Sequence, residues 1–267
     1  MRKQSAFTLI ELLVVISIIA LLIAILLPAL GAARKSAQQM QNSVNLRSLH
    51  QAEVVYATEN KAWYTGIDSD GRVKLDSEFG PAGSYWPGNH GVWLVPRFQE
   101  LVNKDILAYD HLVSPADIDR EGWDGLGRIA HGNISYAALD LQPVANLGGS
   151  LQSSSGNRAL PSWKSSNGDT QTPIFSDRNT QTVFTEEGSS LWDEDQWVGG
   201  IAWNDGHTTF ENSPVIETTA LNSVTIQEDH LFDEGSEDTG EARGQHVRMV
   251  KKNSNATFGT FGGGFAP

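Results

Sequence analysis

Cysteine is absent from the 267-residue sequence. Its absence excludes disulfide bonds, thiolate metal sites and cysteine nucleophiles. A domain of this chain that folds outside the cytoplasm must therefore be held together by packing or by a bound ion. Apolar residues make up 39% of the sequence, with 8 Trp and 10 Phe among them. A packed core can form from such a composition, which is not that of a disordered chain.

Basic residues are scarce. The 19 Lys and Arg residues stand against 32 Asp and Glu residues, which gives a formal net charge of −13 at pH 7. Four of the basic residues, Arg2, Lys3, Arg34 and Lys35, lie in the N-terminal segment, so the remainder of the chain is more acidic than the total indicates. Binding to nucleic acid needs a basic surface. We therefore expect no nucleic-acid partner.

Motifs of catalysis are missing as well. The seven histidines have neither the helix-face spacing nor the zinc-motif spacing of a metal site. The sequence also has no G-x-S-x-G elbow and no P-loop. A Ser-His-Asp triad that meets only in the folded chain is left open by the sequence. Our prediction is that the chain is not an enzyme.

Charge is absent from residues 12–30, which read LLVVISIIALLIAILLPAL. A helix of this length, at about 1.5 Å per residue, matches a hydrocarbon core of roughly 30 Å. A helix of a soluble core would show a polar face, which this segment lacks. The run is also longer than the ~7–15 apolar residues of a typical signal peptide. The sequence therefore predicts a transmembrane helix, which we place at residues 7–33.

The residues around this run resemble the N-terminus of the prepilins of type IV pili and of type II secretion pseudopili. A short basic leader, MRKQSA at residues 1–6, precedes FTLIELLVV at residues 7–15. The resemblance implies that prepilin peptidase cuts between Ala6 and Phe7 and that the new amine of Phe7 is N-methylated. Ala6 stands where Gly is commoner in the family, but Ala is also small. Glu11 and Pro28 become the fifth and twenty-second mature residues, which the family typically fills in this way.

The resemblance assigns assembly roles to Glu11 and Pro28. A carboxylate near the membrane needs a partner, and the Phe7 amine of a neighbouring subunit can supply it in a filament. Alternatively, Glu11 is an interfacial residue that reaches headgroup water. Pro28 removes one helical hydrogen bond, and the resemblance adds that this stretch can loosen during assembly. A simple kink, tolerated in a membrane helix, is the other interpretation of Pro28.

Residues 31–59 contain no Pro and predict that the helix continues to about Glu59. This continuation, at residues 34–60, is expected to be amphipathic and to pack on a globular head. It carries one apolar stripe at helical spacing and, beside it, a less pure one. The first stripe is Ala33, Ala37, Met40 and Val44, and the second is Leu46, Leu49, Glu53 and Tyr56.

Two further segments resemble the prepilin-like proteins common in planctomycete-type bacteria. The first begins with N-L-R-S-L at residues 45–49 and runs to Tyr64. The second is W-N-D-G-H-T-T-F at residues 203–210, although Asp195 stands where the family has a His ten residues before the Asp. The Asp-Gly pair at 205–206 is also an ordinary signal for a tight turn between two strands, and a structural hairpin explains it equally well.

Short apolar runs separated by Gly, Asn, Asp and Ser begin at Lys61. They predict an extracytoplasmic, β-rich globular head over residues 61–267, with loops at 148–172 and 233–245 and a flexible tail at 259–267. A helix is predicted within residues 99–112. The predicted strands are Val92–Arg97, Ile134–Asp140, Thr182–Glu186, Val198–Trp203, Thr208–Glu211 and Val224–Gln227. The fold class is therefore α+β: one long N-terminal helix packed on an antiparallel sheet.

Calcium is the ligand that the acidic head could bind, because hard cations take several oxygen ligands. Asp68 and Asp70 lie beside a Gly turn, Asp193 and Asp195 belong to an acidic triplet, and Asp177 lies in the polar segment FSDRN. The resemblance adds that major type II secretion pseudopilins have a calcium-binding loop. None of these segments matches an EF-hand, and solvated acidic turns explain them as well. No other cofactor is expected.

The leading hypothesis is a structural subunit of a type II secretion pseudopilus or a type IV pilus-like filament. The resemblance implies prepilin peptidase, other pilin or pseudopilin subunits and an inner-membrane assembly platform as partners. It also places the N-terminus in the cytoplasm, the helix in the inner membrane and the head outside. Arg2 and Lys3 favour this orientation, whereas Arg34 and Lys35 oppose it. The head is larger than a minimal major subunit needs, which favours a minor or specialised subunit.

Two alternatives are kept. A secreted or membrane-anchored extracytoplasmic binding protein would carry a conventional signal sequence, for which the small residues at Ala29-Leu30-Gly31 offer a cleavage site. Its mature chain would begin at Ala32 and not at Phe7. A single-pass anchored envelope enzyme would need a convergent polar site in the head, and the sequence shows none.

Overall fold

The computed structural model describes residues 9–72, 74, 94–139, 164–165, 170–180, 190–193, 195–219, 225–231 and 249–250. The chain divides into two compact units, residues 1–40 and residues 41–267. Predictions for the leader at 1–6, the strand at Thr182–Glu186, the loop at 233–245 and the tail at 259–267 lie outside the described residues. Most of the predicted loop at 148–172 does so too.

The predicted long helix is confirmed as α1, Leu9–Glu59, with Pro28 inside it. Residues 9–37 are exposed throughout, and the first buried residue is Asn42. The buried positions then recur every three or four residues, as expected for one face of a helix. They are Asn42, Asn45, Leu46, Leu49, His50, Ala52, Glu53, Tyr56 and Ala57.

The less pure of the two stripes on α1 is the one that faces the core of the second unit. Leu46, Leu49 and Tyr56 are buried. Met40 and Val44, from the purer stripe, are 72% and 53% exposed. Apolarity alone therefore did not identify the buried face, because that face also carries the polar residues that bind the helix to the sheet.

Within the described residues, the main sheet contains β1 Tyr136–Leu139, β2 Pro173–Asp177, β3 Gly199–Trp203, β4 Thr208–Glu211 and β7 Met249–Val250. These five strands lie in the order β4-β3-β2-β1-β7, and all neighbouring pairs are antiparallel. A second sheet pairs β5 Val215–Thr219 with β6 Thr225–His230. The predicted α+β class, with one long helix and an antiparallel sheet, is confirmed.

Three predicted strands, at Ile134–Asp140, Val198–Trp203 and Thr208–Glu211, correspond to β1, β3 and β4. A further predicted strand, Val224–Gln227, overlaps the first half of β6. Strands β2, β5 and β7 were not predicted. Strand β2 was missed because it opens with Pro173 and is buried along its whole length, so it shows no alternation of apolar and polar residues.

The predicted strand at Val92–Arg97 is wrong. Its residues from Leu94 onward belong to α2, Leu94–Asn103. Leu94, Phe98 and Leu101 are buried at helical spacing, and Pro96 is tolerated because it lies in the first turn. The helix predicted within 99–112 therefore begins earlier and ends at Asn103, and a separate 3₁₀ turn follows at Tyr109–Leu112. A second 3₁₀ turn spans His131–Asn133.

The main sheet has an apolar cluster on each face. One cluster joins α1, α2, β1 and β2, and within it Phe98 and Phe175 stack with ring centroids 5.6 Å apart. The other cluster contains Ala137, Trp197, Ile201, Trp203 and Leu231. Ala137 and Ala138, which are successive residues of β1, belong to different clusters, as expected for side chains on opposite faces of a sheet. Both faces of the sheet are therefore covered, which explains why β1, β2 and β3 are wholly buried.

Candidate functional site

The first half of α1 is an exposed apolar surface in the described part of the chain. Its large side chains are exposed, from 46% at Val14 to 85% at Leu9. The helix satisfies its own backbone hydrogen bonds, and the hydroxyl of Ser17 donates to the carbonyl oxygen of Val14 at 2.8 Å. The helix is long and apolar enough to cross a membrane, and no residue of its most apolar stretch is buried. Such a surface is suited to lipid or to other apolar helices.

Two of the four predicted processing and assembly residues lie on this helix. Glu11 is in the first turn of α1, between Ile10 and Leu12, which are 75% and 51% exposed. Pro28 lies inside the helix. Ala6 and Phe7 lie outside the described residues. The roles of all four residues in cleavage, methylation and assembly stay predictions.

The outer part of α1 is fixed to the sheet by a buried carboxylate. Asp177, at the end of β2, is fully buried and accepts four hydrogen bonds. The side-chain amide of Asn42 donates to its two oxygens at 3.0 and 2.8 Å, and the indole N–H of Trp192 and the backbone N–H of Gly200 each donate to Oδ2 at 2.8 Å. Burial raises the pKa of Asp177 to about 6, although these donors oppose the shift.

Glu53 is a second buried carboxylate, nearer the end of α1. It accepts hydrogen bonds from the backbone N–H of Thr65 at 2.7 Å and from its hydroxyl at 2.6 Å. Burial raises the pKa of Glu53 to about 7, and the positive charge of Arg97 on α2 opposes that shift. Glu53 thus holds the segment that follows α1 against the helix.

The turn between β3 and β4 contacts α1 at His50. The Nε2 atom of His50 lies 3.1 Å from the carbonyl oxygen of Asn204, whose side-chain oxygen accepts a 2.7 Å hydrogen bond from the hydroxyl of Tyr64. Gly206 has φ of +89°, and a Cβ atom there would lie 3.2 Å from Nδ1 of His50. The predicted Asp205-Gly206 hairpin is confirmed. It brings together the two segments, 45–64 and 203–210, that resemble prepilin-like proteins.

The calcium candidates lie in two acidic turns that are closed by their own backbone. Asp68 accepts hydrogen bonds from the backbone N–H groups of Asp70 and Arg72 at 2.9 and 2.8 Å. Asp193 accepts one from the N–H of Asp195 at 3.0 Å. Such bonds are the ordinary use of Asp in turns. In the described part of the chain no three His, Asp or Glu side chains are grouped so that they could hold a metal ion. Calcium binding stays a prediction.

Comparison with known proteins bears on the N-terminal segment. The family model of the prokaryotic N-terminal methylation motif matches residues 1–27. This match covers the leader, the predicted cleavage site and Glu11, and it ends just before Pro28.

The N-terminal segment of this chain is prepilin-like.

A protein that matches part of the chain is the type IV wide pilus major component PilA4 of Thermus thermophilus. The two are 43% identical over 63 residues, which is 24% of this chain and 48% of the relative. The chain thus spans about half the length of the curated relative that it matches. No solved structure matches the chain significantly.

The unit of residues 41–267 contains buried residues that the sequence analysis missed. Asn42 and Trp192 were not singled out, and Asp177 was expected in a turn, whereas it ends the buried strand β2. Asn42 and Asp177 are separated by 135 residues in the chain, so no local pattern relates them. The one local signal was a carboxylate at the end of the apolar run of residues 173–175.

Proposed function

We propose that the chain is a pilin-like filament subunit that is held in the inner membrane by α1 before assembly. The observation that carries the proposal is the coincidence of two features. The methylation motif covers residues 1–27, and the same segment from Leu9 onward forms an exposed apolar helix. A secreted binding protein would discard this helix, whereas a filament subunit would use it as the surface by which subunits pack together.

Processing is the first step of the proposed function. Prepilin peptidase removes residues 1–6, and the amine of Phe7 is methylated. Glu11 then accepts the amine of Phe7 from a neighbouring subunit, because a carboxylate in an apolar bundle needs a cationic partner. The partners are therefore the peptidase, other subunits and an assembly platform in the inner membrane. The N-terminus is cytoplasmic and the head lies outside, and no catalytic role is assigned to the head.

The type of filament is part of the proposal. The matched relative is named as the major component of a type IV wide pilus, and this supports a type IV pilus-like filament over a secretion pseudopilus. The match covers 24% of this chain and does not carry the properties of the head across. A minor or specialised subunit fits the large, acidic head.

The experiment that tests the proposal is the mass and N-terminal sequence of the mature protein, purified from membranes of cells that make the full chain with its peptidase. An N-methylated Phe7 is the expected result. The matched variant Ala6→Gly should be processed at least as completely, whereas Ala6→Leu should remain uncut because the peptidase site takes a small residue. A mature chain that begins at Ala32 would contradict the proposal, because the apolar part of α1 that assembly needs would have been removed.

A further inference from the structure

Arg34 and Lys35 have no place in the function proposed above. They are the first charged residues on α1 after Glu11, and both are exposed on the helix. They also work against the proposed orientation, because basic residues next to a membrane span favour the cytoplasmic side. These two positive charges oppose the proposed orientation of α1, so we looked for a ligand that would stabilise them at the outer end of the span.

Their position along α1 is that of lipid headgroups. Glu11 and Arg34 lie on one continuous helix, and at 1.5 Å per residue their Cα atoms are about 35 Å apart. The hydrocarbon core is about 30 Å thick, so the two charged positions bracket it. Arg and Lys extend long apolar stems along the hydrocarbon and place their charged groups among the phosphates.

The positive charge of Arg34 and Lys35 indicates which kind of lipid headgroup they would bind. Arg34 and Lys35 are adjacent cations in a chain whose net charge is −13. An acidic protein is repelled by the negative surface of a membrane that contains anionic lipids. A pair of cations at the outer border of the span offsets this repulsion where the chain leaves the membrane. Anionic phosphate is the headgroup chemistry that satisfies both side chains.

We propose that Arg34 and Lys35 bind the phosphate groups of anionic phospholipids in the outer leaflet at the end of the span, and so fix the depth of α1 in the membrane. This inference rests on the proposed insertion of α1. Extraction of a subunit into a filament then breaks these two headgroup contacts, so the pair holds the subunit in the membrane until assembly begins.

The test uses the full chain reconstituted in vesicles of equimolar phosphatidylcholine and phosphatidylglycerol. Electron paramagnetic resonance compares the immobilised fraction of spin-labelled phosphatidylglycerol with that of spin-labelled phosphatidylcholine. Each basic residue at a headgroup is expected to favour the anionic lipid on the order of fivefold. The double variant Arg34→Gln/Lys35→Gln should therefore lose most of the preference that the wild type shows, and Arg34→Lys/Lys35→Arg should keep it.

The matched control is Arg47→Gln, because Arg47 is also exposed on α1 but lies farther along the helix. Its preference for phosphatidylglycerol should equal that of the wild type. The inference is overturned if the double variant keeps the preference, or if Arg47→Gln loses it to the same extent. Alkaline carbonate extraction of the same vesicles reports insertion separately. A chain that carbonate releases refutes the proposed insertion, whereas an inserted chain with an unchanged preference refutes the lipid site alone.

Discussion

The side-chain amide of Asn42 on α1 donates to both carboxylate oxygens of Asp177 at the end of β2, at 3.0 and 2.8 Å. Tyr136 on β1 completes the arrangement, because its hydroxyl donates to Oδ1 of Asn42 at 2.9 Å. This contact joins the outer half of the helix to two strands of the sheet. A carboxylate that is fully buried among N–H donors makes the stability of the head depend on pH.

The first prediction is that the head becomes more stable as the pH falls from about 8 to about 5. The pKa of Asp177 is raised to about 6 in the folded chain, from an ordinary value near 3.8. The folded state therefore binds a proton at a pH where the unfolded state does not. This stabilisation is complete below the unfolded pKa and is lost as the pH rises through about 6. Glu53, with a pKa of about 7, acts in the same direction.

The expected gain from Asp177 alone is on the order of 1–3 kcal/mol. Thermal unfolding of the full chain in detergent micelles, followed by circular dichroism across the pH range, measures it. Asp177→Asn should remove the part of the pH dependence that is centred near pH 6 and leave the part that comes from Glu53. The fold should tolerate this change, because the new amide oxygen can still accept from Gly200 and Trp192. Asp195→Asn, at an exposed position, is the matched control and should leave the slope unchanged. A slope of the opposite sign in the wild type would contradict the assignment.

The second prediction concerns the close approach of α1 to β3 at Gly200. A Cβ atom at this residue would lie 2.6 Å from Cδ1 of Leu46 and 3.0 Å from Nδ2 of Asn42. Because both neighbours are buried, Gly200→Ala should destabilise the fold by about 1–3 kcal/mol through overpacking. Gly132→Ala is the control, since a Cβ atom there meets nothing within 4 Å. Equal melting temperatures for the two variants would show that α1 does not rest on β3 at this point.

The third prediction concerns the contact between the two segments that resemble prepilin-like proteins. Tyr64→Phe removes the hydroxyl that donates to the side-chain oxygen of Asn204 at 2.7 Å. Loss of a donor to a buried acceptor costs about 1–3 kcal/mol. Tyr109→Phe serves as the control, because Tyr109 is 40% exposed. Chemical denaturation should separate the two variants. A stable Tyr64→Phe protein would mean that the hydroxyl of Tyr64 does not hold the hairpin, which His50 also contacts at the carbonyl oxygen of Asn204.

How much of this could be read from the sequence depends on the range of each interaction. The first half of α1 was predicted correctly because a membrane helix is a local signal: a charge-free run of sufficient length. The hairpin at Asp205-Gly206 was predicted from another local signal, an Asp-Gly pair between two predicted strands. The segment at Leu94–Arg97 is too short to separate helix from strand, and its helical period becomes visible only when Phe98 and Leu101 are included.

The buried face of α1 could not be predicted from its own residues. Glu53 gives a polar character to the stripe that contains Leu46 and Leu49. The other stripe, which contains Met40 and Val44, is wholly apolar and so has the composition of a buried face. In the structure the stripe that contains Glu53 is the buried one, because Thr65 and Arg97 compensate the burial of Glu53. Asn42 and Asp177 are far apart in the sequence, so their contact produces no periodic pattern in α1 or in β2 from which it could be predicted.

The fourth prediction tests assembly through Glu11. Glu11→Gln removes the negative charge but keeps the size of the side chain, so insertion and cleavage at Ala6 should proceed as in the wild type. The subunit should then fail to assemble, because the amine of Phe7 from a neighbour loses its counter-charge in an apolar bundle. Sedimentation of sheared filaments, together with the mass of the membrane-bound pool, separates processing from assembly.

The control for Glu11→Gln is Glu59→Gln at the other end of α1, where the Glu59 side chain is 74% exposed and pairs only loosely with Lys104 at 3.5 Å. Because an exposed pair of this kind contributes little, filaments of Glu59→Gln should match those of the wild type. Normal filament yield from Glu11→Gln would mean that Glu11 is an interfacial residue satisfied by headgroup water, and that the register of the helices is set by packing alone.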